Sequence, residues 1–476
     1  MKSPNRVALV LVVFAMIRIG STWTIFSSTV DEPMHLSAGL QLYAAREYTY
    51  QPENPPLPRL VFALPAWLGG VQFEKEEIIP TQLQHVFYSK DRYRTNLVLA
   101  RCGNLLFFAL AAFATWAWAR RELGELGAAV AIFLFTFQPM ILGHAGLATH
   151  DMAATAGTAL SLWLFVRWLD EPTVKRAMLF GAAFGFAILC KFSCLGYIPA
   201  SCLAVYVVRV IRDRNLRAPW KSILPAAAVA AAVVWIGYAF SHETFIAGVK
   251  GLAAINNAGT HYNFLFGEIS TNGFPFYFPI ALALKSTIAS LLLALGARKN
   301  LEPLAAALAI LAVAMPSNLD LGVRYVLPLY APLSIAAAAT ALALWSWRRW
   351  LAVALLGWHG ATSLAAHPDE FPYFNAIAGR APWTILADSN VDWGQDVLRL
   401  RTVAREKQIE NLGIDVFGWH DYAKLGFPPH YRVLPMIPTQ GWVAVSEHLY
   451  IMRDYKWLRG RDYERVGKSI RLYYIQ

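Results

Sequence analysis

The residues best suited to chemistry are Asp31-Glu32, followed at once by Pro33-Met34-His35, then Thr149-His150-Asp151, Lys191, Lys285 and Arg324-Tyr325. Asp31 and Glu32 come just after the first long apolar run. Two adjacent carboxylates are costly to desolvate there and serve no packing purpose. Carboxylates and cations gathered in one site suit a substrate that carries both a phosphate and a hydroxyl. Lys and Arg would neutralise the phosphate, and a carboxylate would take the hydroxyl proton as general base. Each residue also has a purely structural reading. Acids at 31, 32 and 151 can serve a helix N-terminus, Lys191 and Lys285 can snorkel, and Arg324-Tyr325 can anchor an interface. His35, His150 and His261 are weak signals taken singly. No metal-ligand spacing such as His-Glu-x-x-His occurs, so a divalent cation is compatible with the carboxylates but not specified by them. Cys102, Cys190, Cys194 and Cys202 lie in apolar runs and read as small buried hydrophobes.

Membrane helices must position these residues. Of 476 residues, 57% are hydrophobic and 15% charged, against about 25% charged in a soluble protein. Eleven apolar runs approach or reach the length of a bilayer span: about 7–26, 101–119, 126–140, 152–167, 177–190, 194–210, 222–240, 276–296, 302–315, 326–345 and 350–365. The net charge of +11 comes largely from short loops between them, such as Lys2 with Arg6, Arg120-Arg121, Arg167 with Lys175-Arg176, Arg209 to Lys221, Arg298-Lys299 and Arg348-Arg349. These loops alternate as the positive-inside rule requires. No basic patch is interleaved with aromatics, which argues against nucleic acid as a partner. The N-terminal stretch imitates a signal peptide but has no clear cleavage site, so it reads as a retained span. Arg18 interrupts it, either as a functional group or as a snorkelling one. With the N-terminus inside, every candidate residue falls near the outer end of a span.

The expected fold is an α-helical polytopic membrane domain over 1–366, with extracytoplasmic loops 31–96 and 241–275, then a small extracytoplasmic α/β domain over 367–476. Residues 35–47 read as a helix in the interface plane. Pro52, Pro55, Pro56 and Pro58 read as an extended turn, and 81–96 as a second amphipathic piece. In the tail, 392–407 reads as a helix capped by Asp392, and 412–417, 443–445 and 470–475 as strands.

Several motifs, in order along nearly the whole chain, resemble the GT-C glycosyltransferases of the protein O-mannosyltransferase and aminoarabinose-transferase type. The similarity is strongest to the bacterial phospholipid carrier-dependent (family 39-like) branch. They are Asp31-Glu32-Pro33-Met34-His35-Leu36-Ser37-Ala38-Gly39, Pro52-Glu53-Asn54-Pro55-Pro56-Leu57, Thr149-His150-Asp151-Met152, Gly185-Phe186-Ala187-Ile188-Leu189-Cys190-Lys191-Phe192, Lys285, and Arg324-Tyr325-Val326-Leu327-Pro328. The tail adds His367-Pro368, Tyr373-Phe374-Asn375 and Asp388-Ser389-Asn390-Val391-Asp392-Trp393-Gly394-Gln395-Asp396. The first and last motifs are the specific ones. Asn54 departs from the branch, which usually has His before the paired prolines.

The resemblance implies a GT-C fold and an active site under the first loop, on the periplasmic or exterior face of a bacterial cytoplasmic (inner) membrane. It implies transfer, with inversion, of a sugar from a polyprenyl-phosphate donor to a hydroxyl of a protein, lipid or polysaccharide acceptor, in the manner of a hexosyl- or mannosyltransferase. Asp31 matches the general base, with Glu32 orienting or tuning it. Asp151 matches a second acidic position that binds acceptor or a cation, with His150 and His35 beside it. Lys191, Lys285, Arg324 and Tyr325 match positions that hold the leaving phosphate. The tail domain would cover the site or help select acceptor. The competing reading is a transporter or flippase of lipid-linked sugars, although such proteins place ionisable groups near the midplane between inverted repeats, and neither feature is visible here.

Overall fold

The computed structural model describes residues 4–73, 83, 85–213, 220–259, 261–297 and 301–476. The start of the piece expected at 81–96, and the basic residues Lys2, Arg214, Arg217, Arg298 and Lys299, lie outside the described residues.

Each of the eleven apolar runs is helical. Pro4–Thr22, His150–Asp170, Val174–Cys190, Cys194–Arg212, Ile223–Gly237, Leu301–Ala314, Tyr330–Trp347 and Arg349–Ala366 are single helices. The runs at 101–119 and 126–140 fall in Asn104–Thr136, which breaks at Gly124. The run at 276–296 is a broken pair, Tyr277–Lys285 and Ile288–Leu295, whose axes differ by 117°. By length and hydropathy alone, five segments among the described residues can cross a membrane, or seven if each of two bent pairs counts as one. The second bent pair joins Ile223–Gly237 to His242–Asn257 at 96°. Val174–Cys190, Leu301–Ala314 and Arg349–Ala366, of 17, 14 and 18 residues, complete the set. Small residues bring helices close, as is usual where no water drives association. A Cβ on Gly157 would lie 2.7 Å from Ala187 Cα, and this contact sets His150–Asp170 against Val174–Cys190.

The run expected as one span at 276–296 is broken at Ser286, and its exposed backbone groups are satisfied from the tail. Asn375 donates through Nδ2 to the carbonyls of Ala283 and Ser286, at 2.6 and 2.8 Å, and its N–H bonds Leu284 O. Freed carbonyls inside a membrane domain need such partners.

After the first span, Glu32–Ala45 and Pro56–Leu68 form a helical hairpin. The second of these was not expected: Pro56 opens it, a position where proline's missing N–H costs nothing. Residues 263–270 form a small antiparallel hairpin, β1 (Asn263–Leu265) with β2 (Glu268–Ser270). The tail runs along the helix ends as far as Asp396, then folds into a sheet. Its strands are β3 (Leu412–Asp415), β4 (His430–Arg432), β5 (Gly441–Ser446), β6 (Glu464–Val466) and β7 (Ile470–Ile475), in the order β4-β3-β5-β7-β6. β3 is parallel to β4 and β5, while β7 is antiparallel to β5 and β6. The tail helix is Val397–Glu406 with Asp396 at its N-cap. Asp392 does not cap it, because its carboxylate accepts from the N–H groups of Gly394 and His448.

Candidate active site

The first turn of the hairpin separates the two adjacent carboxylates. Asp31 is the N-cap residue of Glu32–Ala45 but makes no side-chain capping bond. Its Oδ2 accepts from Arg324 Nη1 at 3.0 Å. The Asp31 side chain is 35% exposed and that of Arg324 11%, so the pair lines a recess with its open side at Asp31. Burial pushes the Asp31 carboxyl above its ordinary value; Arg324 opposes the rise, and Asp388 and Asp151 add to it.

Glu32 is not part of that recess. Arg101 grips it with two bonds of 2.8 Å, and it also accepts from the N–H groups of Thr29 and Ala148 and from the Thr29 hydroxyl. Both partners are sealed, with side-chain exposures of 1% and 0%. The expectation that Glu32 tunes Asp31 therefore meets a physical obstacle: its oxygens are already committed to joining the hairpin to two other segments.

Asp151 sits at the start of His150–Asp170 and is buried. Lys191, which ends Val174–Cys190, donates to its Oδ1 at 2.6 Å, and the Thr149 hydroxyl bonds Oδ2. Lys191 Nζ also lies 4.5 Å from the centre of the Tyr325 ring. The Arg324 guanidinium is 5.4 Å from the same ring and 4.2 Å from that of Trp393, and it interacts electrostatically with Asp151 and Asp388 as well as Asp31. The structure thus brings together Asp31, Asp151, Lys191, Arg324 and Tyr325, contributed by four separate stretches of chain.

His35, His150 and Lys285 are placed differently. The two histidine rings meet edge to face, 4.4 Å between centres. His35 Nδ1 accepts from Arg59 at 3.4 Å, and His150 Nε2 bonds Pro55 O at 3.0 Å. Burial, His150 and Arg59 all hold His35 neutral. These nitrogens face the proline turn. Arg59 is the organiser here: it is buried and donates to the carbonyls of Tyr50 and Gln51 and to the Tyr48 hydroxyl. Asn54 takes part through its backbone carbonyl, which accepts from the Tyr48 hydroxyl. Lys285 is fully buried at the helix break, bonded to Phe371 O (3.1 Å) and Asn390 O (2.5 Å), with Nζ 4.3 Å from the Phe374 ring centre. Two of its three N–H donors are spent on the tail, so it stands behind the recess.

The tail motif forms the wall opposite the hairpin. Trp393 O and Gln395 O accept from the N–H groups of Val30 and Ser27. Asn390 Oδ1 accepts from Val323 N, and Ser389 Oγ donates to Leu321 O at 2.6 Å. Gly322 has φ +105°, and a Cβ there would lie 2.2 Å from Ser389 Oγ, so only glycine permits this close approach. Among the described residues no group of three or more His, Cys, Asp or Glu could hold a metal ion. Asp31 and Asp151 each already have a cationic side chain at hydrogen-bond distance, so this donor set does not fit a divalent ion.

Helices of this arrangement, with a recess at one end closed by the tail, define an integral membrane protein with the fold of the GT-C glycosyltransferases. Residues 94–238 match the family model for dolichyl-phosphate-mannose-protein mannosyltransferase. ArnT from Cupriavidus metallidurans bound to undecaprenyl phosphate aligns with a TM-score of 0.55 at 14% identity, over 98% of this chain and 97% of that one. The apo state of the same protein gives 0.50 at 19% identity, over 79% and 67%. The Archaeoglobus fulgidus oligosaccharyltransferase in the apo form is more distant, with a TM-score of 0.45 at 13% identity, over 84% of this chain and 58% of that one. Comparison with curated protein sequences gives no match.

Proposed function

We propose that the protein transfers a sugar from a polyprenyl-phosphate donor to an acceptor hydroxyl at the Asp31 recess, on the extracytoplasmic face of a bacterial cytoplasmic membrane. The observation that carries this reading is the state of Asp31: one oxygen is fixed by Arg324, and the other has no partner among the described residues. The open oxygen takes the proton of the acceptor hydroxyl. The acceptor oxygen attacks the anomeric carbon from the face opposite the phosphate, the bond from that carbon to the phosphate oxygen breaks, and polyprenyl phosphate leaves with the electron pair. The configuration is therefore inverted. The raised pKa of Asp31 makes it a stronger base than an exposed aspartate. Lys191 and Arg324, both held against the Tyr325 ring, receive the charge that develops on the leaving phosphate. Asp151 orients Lys191, and Lys285 supports the wall from behind. The acceptor is a protein Ser or Thr, a glycolipid or a polysaccharide.

The family matched by residues 94–238 is named for a polyprenyl-phosphate sugar donor, and ArnT holds undecaprenyl phosphate; both support the donor class. The test is release of polyprenyl phosphate by the purified protein from a panel of polyprenyl-phosphate sugars, with an envelope extract as acceptor. Release that Asp31→Asn abolishes is expected. Donor binding without release across the panel would overturn the transferase reading in favour of transport.

A further inference from the structure

The sheet carries a cleft that the reaction above does not use. It has a volume of about 470 Å³ and is lined by Val30, Asp415, Phe417, Trp419, Tyr431 and Arg453, among others. Its place follows from topology. The parallel part of the sheet has spatial order β4-β3-β5, so the chain leaves β3 for one side and later returns to the other. In open sheets with parallel strands, ligands bind outside the carboxyl ends of the strands at such a switch point. Asp415 ends β3, Phe417 follows it, and Tyr431 belongs to β4.

The lining has the chemistry of a sugar site. Phe417, Trp419 and Tyr431 are half-buried rings, which suit the apolar C–H face of a pyranose. At the floor, Arg453 Nη1 bonds both oxygens of Asp415 at 2.9 and 2.7 Å, and the Tyr455 hydroxyl bonds Asp415 at 2.5 Å. The Arg453 side chain is 37% exposed, and its Nε and Nη2 make no hydrogen bond among the described residues, leaving donors for hydroxyl groups. A cleft lined by aromatic rings with a few fixed polar groups is the usual form of a small-ligand site.

The cleft also adjoins the recess. Val30 lines it and immediately precedes Asp31, with its N–H on Trp393 O at 3.0 Å. Phe417 packs on His448 with 4.3 Å between ring centres, and His448 Nδ1 is 3.8 Å from the Asp388 carboxylate, which interacts electrostatically with Asp31.

We infer that this cleft binds a saccharide portion of the acceptor and delivers its hydroxyl toward Asp31, an inference that rests on the transferase reading for its purpose but not for its test. Full-length protein in nanodiscs, carrying Asp31→Asn to prevent turnover, is titrated with maltotriose, cellotriose, chitotriose and a Ser/Thr-rich peptide, and binding is read by saturation-transfer NMR. At least one trisaccharide is expected to bind. Trp419→Ala in the same background should weaken it about tenfold, while Trp419→Phe, which keeps a stacking face, should stay within about threefold. No trisaccharide binding, binding indifferent to Trp419→Ala, or Trp419-dependent binding of the peptide alone would overturn the inference. No turnover is read, so failure here is separable from failure of the donor assay.

Discussion

Asp31 and Glu32 are neighbours in sequence, and each is paired with an arginine, yet they sit in two different environments. Glu32 and Arg101 are sealed and saturated: five hydrogen bonds from three residues end on that carboxylate. Asp31 and Arg324 share one bond, and the carboxylate remains one-third exposed. A charge pair buried with every lone pair satisfied fixes the position of chain segments. A pair left half-satisfied at the edge of a recess keeps an oxygen available for a proton. The contrast recurs with the lysines, since Lys191 is bonded to a carboxylate at the recess while Lys285 is bonded to carbonyls behind it.

The comparison can be broken most severely at Glu32. Glu32→Ala leaves Arg101 buried and unpaired, and is expected to cost ~3–5 kcal/mol of stability, seen as a large fall in Tm in detergent and loss of all downstream measurements together. Arg324→Gln should leave Tm nearly unchanged but lower transfer about 100-fold. It should also move the acid limb of kcat/KM to higher pH: activity falls as Asp31 is protonated, and Arg324 is the group that opposes the rise of the Asp31 pKa. A limb that stays in place, or moves down, would separate Asp31 from the proton transfer. Lys191→Ala should raise the KM for donor by about tenfold, the worth of one charge-assisted hydrogen bond, with a smaller effect on acceptor. The smallest effect sharpens the lysine contrast. Lys285→Met should leave donor KM within about twofold while lowering Tm, since only bonds to the tail carbonyls are lost. A tenfold rise in donor KM would put Lys285 back beside the phosphate.

The eleven helical runs were legible because hydropathy is a local signal, averaged over neighbours in sequence. The 96° break falls where the run ends at 240 and the external segment begins at 241, whereas the 117° break was not legible: apolar residues resume at Ile288 after only Lys285-Ser286-Thr287, and the distant Asn375 satisfies the carbonyls freed there. Asp31, Asp151, Lys191 and Arg324 stood out because ionisable groups beside apolar runs are expensive unless they are used. Glu32 stood out for the same reason, and nothing in the sequence could separate it from Asp31. Its partner Arg101 is 69 residues away, and a helix start turns successive residues toward different neighbours. Arg59 was hidden inside an apolar stretch after the prolines, where its role depends on the carbonyls that the turn presents. The tail motif was conspicuous in composition, but its function as a wall depends on the approach of Ser389 to Gly322.

The central claim is that the open oxygen of Asp31 accepts the proton of the acceptor. The most direct measurement is single-turnover sugar transfer by wild type and Asp31→Asn with the same bound donor, after donor affinity and Tm have been shown to match. A general base contributes about 10²–10⁴ in rate. The account predicts a loss of that size in the transfer step with donor affinity unchanged. Transfer at the wild-type rate by a folded, donor-loaded Asp31→Asn would contradict it.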